Sequence, residues 1–262
     1  MEFENQNHWA IILGGSSGLG LASAKKLAQE GMNICIVHRN SRSEMKTISE
    51  SFSDIESLGV KFLAFNVDAM NNDKMEMVLT ELKKAMGSSR VRCLLHSIAK
   101  GNLKPMLDPQ QIELQKEDLM ITYQNMAVSL YEWTKEVYHK QMFAKDSRVI
   151  SFTSEGNQKP IKGYGAVSVA KVALEAITRN IALEFASEGI RANCIQAGIT
   201  NTVSQRKIPG SEEMRAYAVR RNPFGRITKP KDVANVVYLL CKEEAAWING
   251  AIIPVDGGES LI

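Results

Sequence analysis

Tyr164 and Lys171 stand seven positions apart in the run Gly-Tyr-Gly-Ala-Val-Ser-Val-Ala-Lys. A phenol releases its proton near pH ~10, and a neighbouring ammonium favours the phenolate. The pair therefore suits proton donation, or the holding of an oxyanion, close to neutral pH. Seven helical residues make two turns, so both side chains share a face about 10 Å apart along the axis, at roughly 1.5 Å per residue. The slot one turn before the lysine holds Val167, which has no proton to give. The phenol is thus set back from whatever the ammonium binds. Ser168 is a rival hydroxyl on the same helix, but serine is a much poorer acid. The plain alternatives are a tyrosine that only packs and a lysine on the surface.

A second constellation is Leu13-Gly14-Gly15-Ser16-Ser17-Gly18-Leu19-Gly20, between an apolar run and a helical stretch. Gly14 permits a tight turn, Gly18 lets backbone approach a pyrophosphate, and Gly20 lets the helix pack close to the strand. The helix N-terminus, with Ser16, Ser17 and Leu19 beside it, then offers free N–H groups and positive dipole to phosphates. Glycines serve any sharp turn; their place between strand and helix is what points to a dinucleotide. After the second apolar run comes His38-Arg39-Asn40-Ser41-Arg42. No carboxylate stands there to accept from an adenosine ribose and repel a 2′-phosphate, and a guanidinium can pair with phosphate bidentately. NADPH is the expected cofactor, with two solvated loop charges as the alternative.

These groups need a scaffold, and the hydrophobic pattern supplies one. Apolar runs at Trp9–Leu13, Asn33–Val37, Val60–Phe65, Val91–Leu95, Arg148–Phe152, Ala192–Gln196 and Ala251–Val255 read as seven strands. Helical stretches alternate with them at Gly20–Glu30, Ser43–Leu58, Asp73–Met86, Lys116–Met142 and Tyr164–Ser187. Strands apolar throughout are buried on both faces, and strand–helix alternation implies a parallel sheet covered on both sides. The expectation is one α/β, Rossmann-like, doubly wound domain over residues 1–262.

The chain has 262 residues, 44% hydrophobic and 23% charged, with net charge +3. So mild a charge, spread along the chain, gives no argument for nucleic acid. No apolar run reaches ~18 residues, so no membrane span is expected. Cys35, Cys93, Cys194 and Cys241 lie far apart without His clustering, which suggests reduced interior thiols, no metal and a cytoplasmic location.

The glycine spacing and the Tyr–Lys helix resemble the short-chain dehydrogenase/reductase superfamily over the whole chain, to the closing Pro254-Val-Asp-Gly-Gly258. Within it, the seven-position Tyr–Lys spacing and His96-Ser97-Ile98-Ala99 resemble bacterial enoyl-acyl carrier protein reductases, in their NADPH-dependent variant. The resemblance implies that Lys171 binds the nicotinamide ribose and that Tyr164 manages a proton or enolate. It implies that Asn66 and Val67 flank adenine, and that Ser97, Ile98 and Ala99 make backbone contacts near the nicotinamide, with His96 structural. Asn125 matches the asparagine that kinks the long helix behind the lysine. Ser154, where many such reductases have a second tyrosine, could donate to the substrate oxygen or hold Tyr164. In Ala197-Gly198-Ile199, backbone at Ile199 is expected to hold the carboxamide, and Thr202 to face the phosphates. Spacing and chemistry agree: in conjugate reduction hydride reaches the β-carbon while charge collects on the thioester oxygen, three bonds away, so the oxyanion donor must stand back.

Residues 199–224 form the least regular stretch and are expected to be a substrate lid, with Ile208, Met214, Ala216, Tyr217 and Val219 facing an acyl chain. Arg206, Lys207, Arg215, Arg220 and Arg221 would steer an acidic acyl carrier protein, or merely solubilise a loop. The leading expectation is NADPH-dependent reduction of a 2-enoyl thioester by a homotetramer. A 3-oxoacyl thioester or ketone reductase and a non-catalytic NADPH sensor are the alternatives.

Overall fold

A computed structural model describes residues 2–4, 6–110 and 112–262. The elements run β1 (His8–Leu13), α1 (Gly18–Gln29), β2 (Asn33–His38), α2 (Met45–Glu56), β3 (Phe62–Asn66), α3 (Asn72–Met86), β4 (Arg90–His96), α4 (Lys116–Tyr123), α5 (Ser129–His139), β5 (Phe143–Thr153), α6 (Gly165–Glu184), β6 (Ile190–Ala197), α7 (Val203–Arg206), α8 (Ser211–Arg221), α9 (Pro230–Cys241) and β7 (Ile252–Val255). The strands form one parallel sheet in the order β3-β2-β1-β4-β5-β6-β7. Single Rossmann-like architecture with helices on both faces is therefore what the alternating pattern had implied.

Strand alternation builds both cores. In β1, Trp9, Ile11 and Leu13 join the cluster under α3, α5 and α6. Ala10 and Ile12 point the other way, into the cluster under α1, α2 and α9. Each fully buried large apolar side chain contributes roughly 1.5–3 kcal/mol relative to exposure. The strand order reverses between β1 and β4, and the crevice at their carboxyl ends is where such sheets bind ligands. Tight turns close that end, and the opposite end is fastened by charge. There Asp146 accepts from Arg92 and Arg191, each at 2.5 Å, and from Arg148. Arg92 and Arg148 also cap the last carbonyls of α9, at Leu240 and Cys241 (2.7 and 2.7–2.9 Å) and Lys242 (3.1 Å). Cations belong at a helix C-terminus, so this cluster anchors α9 against the sheet.

Helix α9 was not foreseen in the sequence reading, and among the boundaries that move two matter here. The long helix expected over Lys116–Met142 ends at His139, and a π-turn at Gln124–Val128 interrupts it at Asn125, where the resemblance implied a kink. Gln141 then takes a left-handed φ of 55°, so Phe143 can pair with Val91 and start β5 five residues before Arg148. All four cysteines are buried and in no disulfide. Among the described residues no helix is long and apolar enough to cross a membrane.

Candidate active site

A cavity of about 760 Å³ opens at the carboxyl ends of the strands. At one end β1 gives way to the glycine turn. Gly14 donates its N–H to the Val37 carbonyl at 2.8 Å and takes φ +84°, and a Cβ there would lie 2.6 Å from the Ser97 carbonyl oxygen. Gly20 does not line the cavity; a Cβ on it would collide with the Gly14 carbonyl, so its role is to let α1 start against the turn. Ser17 caps α1 without a side-chain bond, and Ser16, Ser17, Gly18 and Leu19 border the cavity. The first-turn N–H groups are the orphan donors of any helix, and here they fit a pyrophosphate. Thr202 packs its methyl near Gly18, so the lid begins over this turn.

The end expected to take adenine differs in part from the sequence reading. Val67 and Arg39 line the cavity, but Asn66 and Arg42 do not. Asn66 instead braces the β2 loop, accepting from Asn40 N at 2.9 Å and donating to its carbonyl at 3.1 Å. Arg39 pairs with Asp68 at 2.5 Å, an exposed bond that a phosphate could replace.

At the other end Ser154, Tyr164, Lys171 and Asn125 converge. Ser154 Oγ lies 3.2 Å from Tyr164 Oη. Tyr164 is the residue before α6, and its ring rests on Gly156, where a Cβ would come within 2.7 Å of Cε1. Burial holds its phenol above the usual tyrosine range, and the bond from Ser154 works the other way. The anticipated lowering by Lys171 is not what dominates. Two turns separate the pair, and the lysine Nζ is engaged with the Phe152 carbonyl at 2.5 Å. Burial brings that ammonium down to about 8, with Cys194 and Glu175 opposing. Asn125 lies in the π-turn, its Nδ2 donating to the Ile121 carbonyl at 2.6 Å. Such single π-turns often mark functional sites.

His96 is buried behind this group. Ser129 Oγ donates to the Asn125 carbonyl at 2.8 Å, so His96 Nε2–H must be the donor in its own 2.8 Å bond to that hydroxyl. Burial, then the Lys171 charge, lowers the imidazole to about 3. It is neutral across physiological pH and serves as a support for the π-turn. Glu175, which sequence reasoning missed, braces the Ser154 strip from both sides, accepting from Thr153 Oγ1 at 2.7 Å and from Asn157 Nδ2.

The substrate wall is apolar. Tyr164, Val167, Ala170 and Met126 form a cluster against which Leu103, Ile161 and Ile208 pack. Val167 lines the cavity and Ser168 does not. Ser97, Ile98, Ala99, Gly198 and Ile199, expected near a nicotinamide, line the same cavity. In the lid, Ile208, Met214 and Tyr217 line the cavity. Ala216 and Val219 are exposed instead, because positions 214, 217 and 221 share the inward face of α8. The expected basic rim is smaller than its charges suggest. Arg206 bonds Asn201, Arg215 bonds Gln205, and Arg221 is buried between Glu155 and Glu259. Lys207, on the cavity, and Arg220 are left. Glu155 and Glu259 were not foreseen; their partner lies 66 and 38 residues away, beyond any local pattern.

A sequence family described as enoyl-(acyl carrier protein) reductase matches residues 14–260. A tropinone reductase homolog of Arabidopsis thaliana is 28% identical over 250 residues, covering 95% of this chain and 90% of its own. Dehydrogenase/reductase SDR family member 4 of Oryctolagus cuniculus is 27% identical over 252 residues, covering 96% and 93%. Among solved structures, an enoyl-(acyl-carrier-protein) reductase from Anaplasma phagocytophilum in complex with NAD superposes with TM-score 0.81 at 18% identity, covering 100% of this chain and 94% of that one. A short chain dehydrogenase from Burkholderia cenocepacia in complex with NADP gives TM-score 0.82 at 22% identity, covering 98% and 99%. At such identities the structural likeness speaks for the fold alone.

Proposed function

The chain belongs to the short-chain dehydrogenase/reductase superfamily, in the family described as enoyl-(acyl carrier protein) reductase, and we propose that it reduces the carbon–carbon double bond of a 2-enoyl thioester with NADPH. One observation carries the reading. The position one turn before Lys171 is an apolar cavity wall, Val167, while the phenol stands two turns ahead on the same cavity.

When bound, NADPH supplies the hydride. The glycine turn and the α1 N-terminus would hold its pyrophosphate, Arg39 its 2′-phosphate, Lys171 its nicotinamide ribose and the Ile199 N–H its carboxamide. Tyr164 donates a hydrogen bond to the thioester oxygen as charge collects there and stabilises the enolate, whose α-carbon then takes a proton from solvent. Ser154, in contact with the phenol, orients it and can add a second donor. The ammonium of Lys171 offsets negative charge in a wall that excludes water, where such an interaction is stronger than in solvent. Asn125, fixed by the π-turn, places a polar group behind the lysine.

A second reading is favoured by the Ser154–Tyr164 contact itself, because two hydroxyls aimed at one oxygen also suit reduction of a ketone or 3-oxoacyl thioester. Purified protein with NADPH and either a 2-enoyl or a 3-oxoacyl thioester separates the two. Turnover of the ketone alone overturns the proposal, and turnover of neither favours a nucleotide sensor. We also propose docking of an acyl carrier protein near Lys207 and Arg220, and a homotetramer, supported by the apolar groove that Tyr123, Tyr131, Ile177 and Phe185 line along α4–α6. Size measurement in solution tests the second point. For the first, charge reversal at Lys207 and Arg220 must weaken turnover of carrier-bound substrate.

A further inference from the structure

Glu259 fastens both ends of the lid. Its Oε2 accepts the backbone N–H of Ile199, where the lid begins, at 3.1 Å. Its Oε1 accepts from Arg221 Nη2 at 2.8 Å, and Arg221 closes α8. Arg221 also grips Glu155, the residue after Ser154, through both terminal nitrogens. The core of this cluster is buried, with the Glu259 side chain 2% exposed and that of Arg221 9%, while Glu155 is partly open at 19%. All three residues line the cavity. With Lys159 on Glu155 at 2.6 Å, two cations balance two carboxylates.

The Ile199 N–H has one proton to give, and its acceptor in this structure is a carboxylate. The reading above assigns that same donor to the nicotinamide carboxamide. We infer that Glu259 is a positioning residue that competes with the carboxamide for the Ile199 N–H. It holds the backbone in place until the nicotinamide end arrives, then rests on Arg221 alone. The inference depends on the cofactor reading just given. A carboxylate acceptor is charge-assisted and roughly twice as strong as a neutral one. Exchanging it for a carboxamide oxygen therefore lowers NADPH affinity, and removing it raises that affinity. A carboxylate present only as a counter-ion predicts the opposite sign, since its loss loosens the site for every ligand. Arg221 keeps Glu155 in either variant, so no guanidinium is orphaned.

The test measures binding without substrate for wild type, Glu259→Ala and Glu259→Gln, with thermal melts alongside. NADPH is followed by its fluorescence. Adenosine 2′,5′-bisphosphate, which carries the adenine end and no carboxamide, is followed by calorimetry. The expected result is NADPH binding about tenfold tighter in Glu259→Ala, less so in Glu259→Gln, with the bisphosphate unchanged in both. Equal or weaker NADPH binding in a folded variant overturns the inference. So does a parallel change in both ligands. Should Glu259→Ala melt, Glu259→Gln, which keeps the volume, decides. A wild-type protein that binds the bisphosphate but not NADPH overturns the competition directly, and one that binds neither defeats the cofactor reading and this inference together.

Discussion

Ser154 Oγ and Tyr164 Oη lie 3.2 Å apart across ten residues of chain, and Gly156 within that excursion is what lets the ring approach its backbone so closely. If the phenol is the oxyanion donor, Tyr164→Phe lowers kcat by about a thousandfold, the scale of one lost donor at a developing charge. Ser154→Ala, which removes the orienting partner and a second donor, costs about tenfold to a hundredfold. NADPH affinity stays near wild type in both. A Tyr164→Phe enzyme with ordinary kcat would hand the role to Ser154.

The pH profile follows from Lys171. Its ammonium sits at about 8 inside the protein, below the usual lysine range because of burial. As pH rises through about 8 the charge is lost, and kcat/KM falls with it. The stability effect has the opposite direction. Between about 8 and the ordinary lysine value the unfolded chain binds the proton and the folded one does not, so the melting temperature gains from this group as pH rises across that window. Lys171→Met must abolish this gain. A profile flat from pH 7 to 9.5 would show that the ammonium takes no part.

Choice of nucleotide rests on Arg39, which lines the cavity and pairs with half-buried Asp68. Arg39→Ala should raise KM for NADPH by about tenfold or more while leaving NADH nearly unaffected, because only one of them offers a 2′-phosphate to the guanidinium. An equal effect on both nucleotides would place Arg39 outside recognition.

Far from the site, Asp146 pairs with Arg92, Arg148 and Arg191 beneath α9. Burial alone would raise its carboxyl; the hydrogen bonds from Arg148 and Arg92 outweigh that and hold it below the usual aspartate range. Its stabilisation is therefore present above the ordinary aspartate value and lost as pH falls through the lowered one. Asp146→Asn should cost about 2 kcal/mol, between surface and buried ion pairs, or roughly 5 °C in Tm. Cofactor affinity should not change. Thermal unfolding with and without NADPH checks both statements.

Period and punctuation alone determined much of this protein. Alternating apolar strands and amphipathic helices specify a doubly wound sheet, because a side chain's face is set by its neighbours two, three and four positions away. The same local rule put Gly14 at the turn, and Tyr164 and Lys171 two turns apart. Tertiary structure decided what depends on segments meeting. Asn66 turned to the Asn40 loop, the kink expected at Asn125 took the form of a π-turn that Ser129 and His96 support, and α8 rotated Ala216 and Val219 outward. Arg221, in sequence one more basic residue of the lid, became a buried bridge between Glu155 and Glu259. An ion pair carries no periodicity: its partners are chosen by the approach of strand ends and a C-terminal turn, and by the need to satisfy a charge once burial has removed its water.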